Sequence, residues 1–594
     1  SFPQPDVEQF LQTFHIQTFA VSEDEKQLIF STNLTGKFDL WAVDLPHLFP
    51  YPLTFRGENC ASIHFDPHRR YVVASFDRDG DENWQLFALP CQGGVLKPMI
   101  SMPGKKYFVS YISSDGERIY YTSNHENANY LNIYRYHLKE GREELLWQGR
   151  ETAIELVSVR SDEAAFAFAK DFANTHRLGY LHLRDELVCI TDERAPAHVV
   201  RDVVFYSEEK VLLTTNYRAD FLYLAQFDLK ERKLTPLITL EQTDIVEIKH
   251  LPGQSQVLLK TEKGVQDALY QFDVVTRELK PLSLPVDVVQ QIVLLPSGNL
   301  YLLGSKSTRP TNLYRKRAGE MHWEAITHYQ VPGVAEERLV EPEVVRYPSY
   351  DGLEIEALFF RAHADVSNDH VIIWPHGGPQ WAERKYYRVL FQFLLSRGYS
   401  IFAPNFRGST GYGLSFCQKV ERDWGHGPRL DLITGIDWLI EQGWVKRGNL
   451  FVLGRSYGGY MTLLLAGRHA DYFKAAVDIF GPSNLFSFIE SVPDDWKPFM
   501  KQWVGDPIKD REKLQEDSPI TYVQQMVKPM LIVQGANDPR VIQQESDQVV
   551  AQLRALGREV EYIVMLDEGH EFTKKENEIK VYSRIADFFD QFLS

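Results

Sequence analysis

The chain has 594 residues, too many for one compact domain, so at least two are expected. A formal charge of −17 at pH 7 argues against nucleic-acid binding, which needs basic stripes. The 44% apolar content supports an ordinary core, and no apolar run is long enough to span a bilayer.

The start, Ser1-Phe2-Pro3-Gln4-Pro5, has neither a basic nor an apolar leader region, so no signal peptide is expected. Val7, Phe10, Leu11 and Phe14 then fall at helical spacing, and residues 1–15 are read as an N-terminal helix. Strand-like runs follow, beginning near Leu28, Tyr71, Ile119, Phe166, Val211, Val257 and Leu300. Each comes after a polar turn, such as Ser114-Asp115-Gly116. Each precedes a second aromatic-rich run, such as Asp39-Leu40-Trp41-Ala42-Val43. A period of about 45 residues is the length of a four-stranded propeller blade. Seven blades are predicted over residues 16–325, with Met321 to Glu341 as the exit linker. Cys60, Cys91, Cys189 and Cys417 show neither metal spacing nor a disulfide framework, so a reduced, cytoplasmic protein is expected. No His-Glu-x-x-His or similar cluster is visible, and no metal or cofactor is expected.

From residue 326 to 594 the pattern changes to that of an α/β domain. Val344 to Phe360 reads as two strands around the turn Tyr350-Asp351-Gly352. Val371 to Trp374 reads as a strand running into His376-Gly377-Gly378-Pro379. Leu450 to Leu453 is a strand, Gly454-Arg455-Ser456-Tyr457-Gly458 is a Gly-x-Ser-x-Gly turn, and a helix follows. That sequence builds a nucleophile elbow, whose tight turn needs small flanking residues and lifts Ser456 Oγ clear of the backbone. A serine nucleophile needs a base, and the base needs an orienting carboxylate. In α/β-hydrolases these follow in the order Ser, Asp, His. Asp538 lies just past the strand Met530 to Gly535, and His570 just past Val560 to Met565. Asp567 competes for the orienting role, but it shares a loop with His570. Backbone N–H groups of Tyr457 and Gly378 are the expected oxyanion donors. His376 is read as shaping its loop by hydrogen bonding. Phe480, Phe486, Trp496 and Phe499 could form an apolar side-chain pocket, or could equally be core.

Together, His376-Gly377-Gly378-Pro379, Asn405-Phe406-Arg407-Gly408-Ser409-Thr410-Gly411-Tyr412-Gly413, Gly454 to Tyr460, Asp538-Pro539-Arg540-Val541 and Glu568-Gly569-His570 resemble the prolyl oligopeptidase family of serine peptidases. The acylaminoacyl peptidase branch looks nearest. The resemblance spans about the last 220 residues of the chain. It implies a seven-bladed β-propeller standing over an α/β-hydrolase domain, with the N-terminal segment returning to pack on the hydrolase. It also implies that Arg540 binds a substrate carbonyl, that short peptides are the substrates, and that a homo-oligomer, often a dimer, is the assembly. Ile542 stands where the family usually has proline, and Glu571 where a smaller residue is common.

The expected reaction is peptide hydrolysis through an acyl-enzyme. Removal of blocked N-terminal residues, or general oligopeptidase action, is preferred over dipeptide release, because Asp81-Glu82, Glu143-Glu144 and Glu208-Glu209 lack the flanks of the family's amine-binding glutamate pair. A carboxylesterase on the same triad and a catalytically inert propeller scaffold are the competing readings.

Overall fold

The computed structural model describes residues 5–594. Seven four-stranded antiparallel sheets occupy its first half, running from strand Ile16–Val21 to strand Glu324–Ala325. Side chains within the polar turns close them locally. In the third blade the Ser113 hydroxyl donates to Asp115 at 2.6 Å, and the same carboxylate accepts the Glu117 N–H at 3.0 Å. Such Asx-type closures hold the turn while β-branched and aromatic residues of the next strand enter the core. The apolar clusters lie between blades. Ile16, Phe19, Leu28 and Phe30 of the first blade pack against Leu295, Tyr301, Leu303 and Leu313 of the last. No strand is exchanged between these two blades, since every sheet keeps chain order. Gln291 joins them instead. Its carbonyl oxygen accepts from the Thr18 hydroxyl and the Phe19 N–H, and its amide donates to the Phe19 carbonyl.

The second half is one eight-stranded sheet with helices on both faces. Numbered along the chain, its strands lie in the order 1-2-4-3-5-6-7-8. The first three neighbours pair antiparallel and the rest parallel. Parallel strands covered on both faces should be apolar, and strands Leu450–Arg455 and Met530–Gly535 are so over their first four residues. The fold is therefore an α/β-hydrolase domain joined to a seven-bladed β-propeller, the class that the sequence pattern predicts. Among the described residues no helix is long and apolar enough to cross a membrane.

Loops joining the second and third strands of the blades face the hydrolase. Gly36 accepts from the Lys575 N–H, Asp79 pairs with Lys574, and Asn174 meets Gln380. Asp220 accepts from Ser415, Gly264 donates to Gly411, and Ser307 accepts from Gln392. The third blade reaches the hydrolase through Lys106 and Asp495.

Two local expectations are corrected. The N-terminal helix is short, Val7–Leu11, and is closed by a capping box between Asp6 and Gln9. Phe14 lies beyond it and packs edge-on against Tyr329. The residues expected as linker are strand in part, since Glu324–Ala325 completes the seventh blade. Phe10, 1% exposed, sits in the hydrolase core beside Phe393 at 6.0 Å. Phe10→Ala should lower the unfolding free energy by about 3 kcal/mol, the usual cost of emptying a buried phenylalanine site. Urea unfolding measures it, and an unchanged midpoint would mean that this helix contributes nothing to the domain.

Candidate active site

Strand Leu450–Arg455 delivers Ser456 to the C-terminal edge of the sheet, and helix Tyr457–Arg468 leaves from it. Ser456 has φ 59° and ψ −123°, a conformation that residues with side chains rarely adopt. The flanking glycines are there for space. A Cβ on Gly454 would lie 2.2 Å from the Gly458 carbonyl oxygen, and one on Gly458 would lie 2.1 Å from that of Pro375.

The Ser456 hydroxyl lies 2.9 Å from His570 Nε2, and His570 Nδ1 lies 2.5 Å from Asp538 Oδ2. Asp538 is 3% exposed, and its other oxygen accepts the N–H groups of Arg540 and Val541 at 2.9 and 3.0 Å. These two bonds fix the carboxylate in the plane that His570 meets. Asp567 turns away and bonds Asn577 and Lys574 instead. Glu568, 1% exposed, ties the histidine loop together by accepting from Thr573, Lys574 and Asn577. The chain therefore brings a nucleophile, a base and an orienting carboxylate into one hydrogen-bonded line.

Tyr457 is the first residue of its helix, so its N–H has no intrahelical acceptor. Gly377 and Gly378 face the elbow from the other side, and a Cβ on Gly377 would lie 3.7 Å from Ser456 Cβ. His376 is fully buried below them. Its ring stacks on Phe406 at 4.1 Å, with Nδ1 2.6 Å from the Gly377 carbonyl and Nε2 2.7 Å from the Ser409 hydroxyl. Nδ1 must donate to that carbonyl, and the Ser409 hydroxyl beside Nε2 also lies 2.6 Å from the Phe406 carbonyl. Burial pushes the His376 pKa down to about 3, and Arg388 lowers it further. This imidazole is a neutral brace for the glycine loop.

A cavity of about 570 Å³ opens over Ser456, between the hydrolase and the propeller. Trp496, Phe499 and Arg540 line it, with Tyr457 and Gly378 at its floor. Phe480 and Phe486 do not, which corrects the pocket drawn from sequence. Phe480 is fully buried, its ring centre 4.3 Å from that of His570, so it supports the base from below. Phe486 faces a separate depression beside Pro507 and Ile508. Trp424, Phe488, Met500 and Trp503 take their place as apolar wall.

A propeller residue also enters the site. Glu82, in the second blade's loop, grips the Arg540 guanidinium, with contacts from Nε at 2.9 and 3.0 Å and from Nη2 at 2.5 Å. The same guanidinium lies over the Trp496 ring at 5.6 Å. Neighbouring residues clamp the catalytic loops. Asp79 pairs with Lys574 at 2.7 Å, and Asn537 donates to the Asp79 carbonyl. Glu571 pairs with Arg455 at 2.5 Å across the cavity wall.

A strained serine at the end of a parallel strand, aligned with histidine and aspartate beneath a propeller, is the arrangement of an α/β-hydrolase nucleophile elbow and its triad. Residues 385–594 match the prolyl oligopeptidase family. Dipeptidyl aminopeptidase BIII of Pseudoxanthomonas mexicana is 41% identical over 239 residues, which cover 38% of this chain and 34% of that protein. Acylamino-acid-releasing enzyme 1 of Oryza sativa subsp. japonica is 26% identical over 253 residues, 41% of this chain and 32% of the relative. The chain thus spans about a third of the length of these curated relatives. A puromycin-hydrolyzing peptidase of Mycobacterium tuberculosis shares the whole architecture. Its structure superposes with a TM-score of 0.85 at 18% identity, covering 100% of this chain and 97% of that one.

The His376 brace has a consequence for acid stability. Unfolded, the imidazole takes up a proton below about pH 6.5, whereas in the fold it stays neutral down to about 3. Between those values the unfolded chain binds one more proton, so this residue removes about 1.4 kcal/mol of stability per unit fall in pH. His376→Asn should flatten the dependence of unfolding free energy on pH by that amount between about pH 6 and 4.5. Parallel curves for the two proteins would contradict the brace.

Proposed function

We propose that this protein is a serine peptidase that hydrolyses short peptides through an acyl-enzyme and reads a free N-terminal amine two residues before the scissile bond. His570 takes the Ser456 proton as Oγ attacks the scissile carbonyl, while Asp538 holds the tautomer and stabilises the imidazolium. The Tyr457 and Gly378 N–H groups would receive the oxyanion, each such donor contributing roughly 3–4 kcal/mol. His570 then protonates the leaving amine, and water repeats the sequence on the ester. The propeller above the cavity restricts entry to chains that are short or unfolded.

One observation carries the amine reading: Glu82 holds the Arg540 guanidinium, and Arg540 lines the serine's own cavity. The resemblance implies that Arg540 holds a substrate carbonyl; with the carbonyl of the second residue in that place, the ammonium of the same residue would come within reach of the Glu82 carboxylate. The relative named a dipeptidyl aminopeptidase is consistent with this. Release of blocked amino acids, the preference drawn from sequence, remains the second reading. It is favoured by the bidentate pairing itself, since Arg540 already neutralises Glu82 and no ammonium is required.

Ser456→Ala should abolish turnover with the melting temperature retained. Free-amine dipeptidyl anilides should be cleaved in preference to acetyl-aminoacyl anilides. Glu82→Gln should raise KM for the free-amine substrate by about tenfold or more, the worth of one charge-assisted hydrogen bond, and leave the acetylated substrate little changed. A preference for the acetylated substrate, unaffected by Glu82→Gln, would select the second reading.

A further inference from the structure

The third blade carries a side-chain cluster that peptide hydrolysis does not use. His125 lies in the connection between strands Arg118–Ser123 and Asn132–His137. Its Nε2 is 2.9 Å from Glu143 Oε1 and 3.0 Å from Glu126 Oε1. Glu143 comes from the adjoining strand Arg142–Gln148. One donor atom from each residue lies within 4.8 Å of the other two.

The arrangement is braced from outside. The His125 side chain is only 8% exposed, and its ring is held between Tyr107 and Tyr134, with ring centres at 5.8 and 4.7 Å. Nδ1 meets the Ser123 hydroxyl at 3.0 Å, and the Tyr121 hydroxyl donates to the second oxygen of Glu143. Metal-binding imidazoles and carboxylates are characteristically fixed in this way through their remaining polar atoms.

Charge makes the stronger case. Among the described residues, no lysine or arginine nitrogen lies within ion-pair distance of Glu126 or Glu143; their ionic partner is His125 alone. The adjacent Glu144 shows the contrast, bonded to Arg135 at 2.8 Å as well as to His137. One ring nitrogen has a single N–H to give, and even an imidazolium leaves the trio negative. A divalent cation balances two carboxylates and uses the nitrogen's lone pair. Tetrahedral ligand bonds of about 2.0–2.2 Å put neighbouring donor atoms about 3.3–3.6 Å apart, a few tenths of an ångström wider than the 2.9 and 3.0 Å that His125 makes with the glutamates, so a small outward shift of the donors would admit the ion.

We propose that His125, Glu126 and Glu143 form a site for a divalent transition-metal cation, with zinc the best fit to one imidazole, two carboxylates and an open water position. The ion would fix the loop that starts at Asn124. That residue's side chain accepts the Lys106 N–H at 2.7 Å, and the Lys106 ammonium pairs with Asp495, next to Trp496 of the substrate cavity. Cation binding therefore stiffens one wall of the cavity from the propeller side. Sequence spacing gave no hint of it, because Glu143 is a neighbour only across the sheet.

The test uses the full chain as Ser456→Ala,His570→Ala, which removes the active-site imidazole as a competing ligand. After chelator treatment, zinc chloride and manganese chloride are titrated by calorimetry. One equivalent of zinc should bind at micromolar concentration or tighter. Glu126→Gln and Glu143→Gln should each weaken it by about tenfold or more. The Glu126 side chain is 60% exposed, so Glu126→Gln should keep the parent melting temperature in chelator, separating lost binding from lost folding. Two results would overturn the site: no binding of either ion below millimolar concentration, or stoichiometric zinc binding unchanged by the double replacement of Glu126 and Glu143.

Discussion

The backbone at Ser456 is the constraint from which the rest of the site is built. A residue with a side chain held at φ 59° costs of order 1–3 kcal/mol, and persists only where its surroundings leave no alternative. Here strand Leu450–Arg455, the helix from Tyr457 and the strand carrying Asp478 close on the turn. Glycines stand where any Cβ would strike backbone or carboxylate, as at Gly459, 2.3 Å from Asp478 Oδ1. The strain is offset by that packing and places the hydroxyl above the sheet, at the end of a helix whose first N–H groups are unsatisfied. His570 then approaches from the loop after strand Val560–Met565, three strands along the sheet, over the ring of Phe480.

The propeller is more than a cover. Its second blade touches both loops that hold the acid and the base. Gly80, at φ +79°, lies so close to Gly569 that a Cβ would come 2.5 Å from its nitrogen. Asp79 holds Lys574, four residues past the catalytic histidine, and Glu82 holds Arg540, two past the aspartate. The Arg540 pair to which the proposed function assigns substrate binding and the loops that hold the triad therefore share one interdomain contact. Asp79 and Glu82 of the propeller meet basic side chains of the hydrolase here, whereas Lys106 meets Asp495 with the charges reversed.

What could be read from sequence follows a physical division. The elbow, with its obligatory glycines, and the acid and base just past strand ends are local patterns in a known order. Geometry places Ser456, Asp538 and His570 in contact, although they lie far apart in the chain. The blades were legible because a repeated turn and strand leave a period. Contacts between distant segments were not. Glu82 meets Arg540 across 458 residues, and nothing around Asp81-Glu82 marks it. Phe480 and Phe486 show the other limit, since an aromatic residue before a helix looks the same whether it faces a cavity or supports a histidine. The N-terminal helix starts at the Asp6–Gln9 capping box and ends at Leu11, before the first strand begins at Ile16.

Everything rests on an activated Ser456 hydroxyl, and an active-site-directed fluorophosphonate probes it without any assumption about substrate. Wild-type protein should incorporate one probe per chain, located by mass spectrometry on the peptide containing Gly454-Arg455-Ser456, and His570→Ala should lose nearly all labelling while keeping its fold. A folded wild-type protein that stays unlabelled, or that labels equally well without His570, would contradict the account.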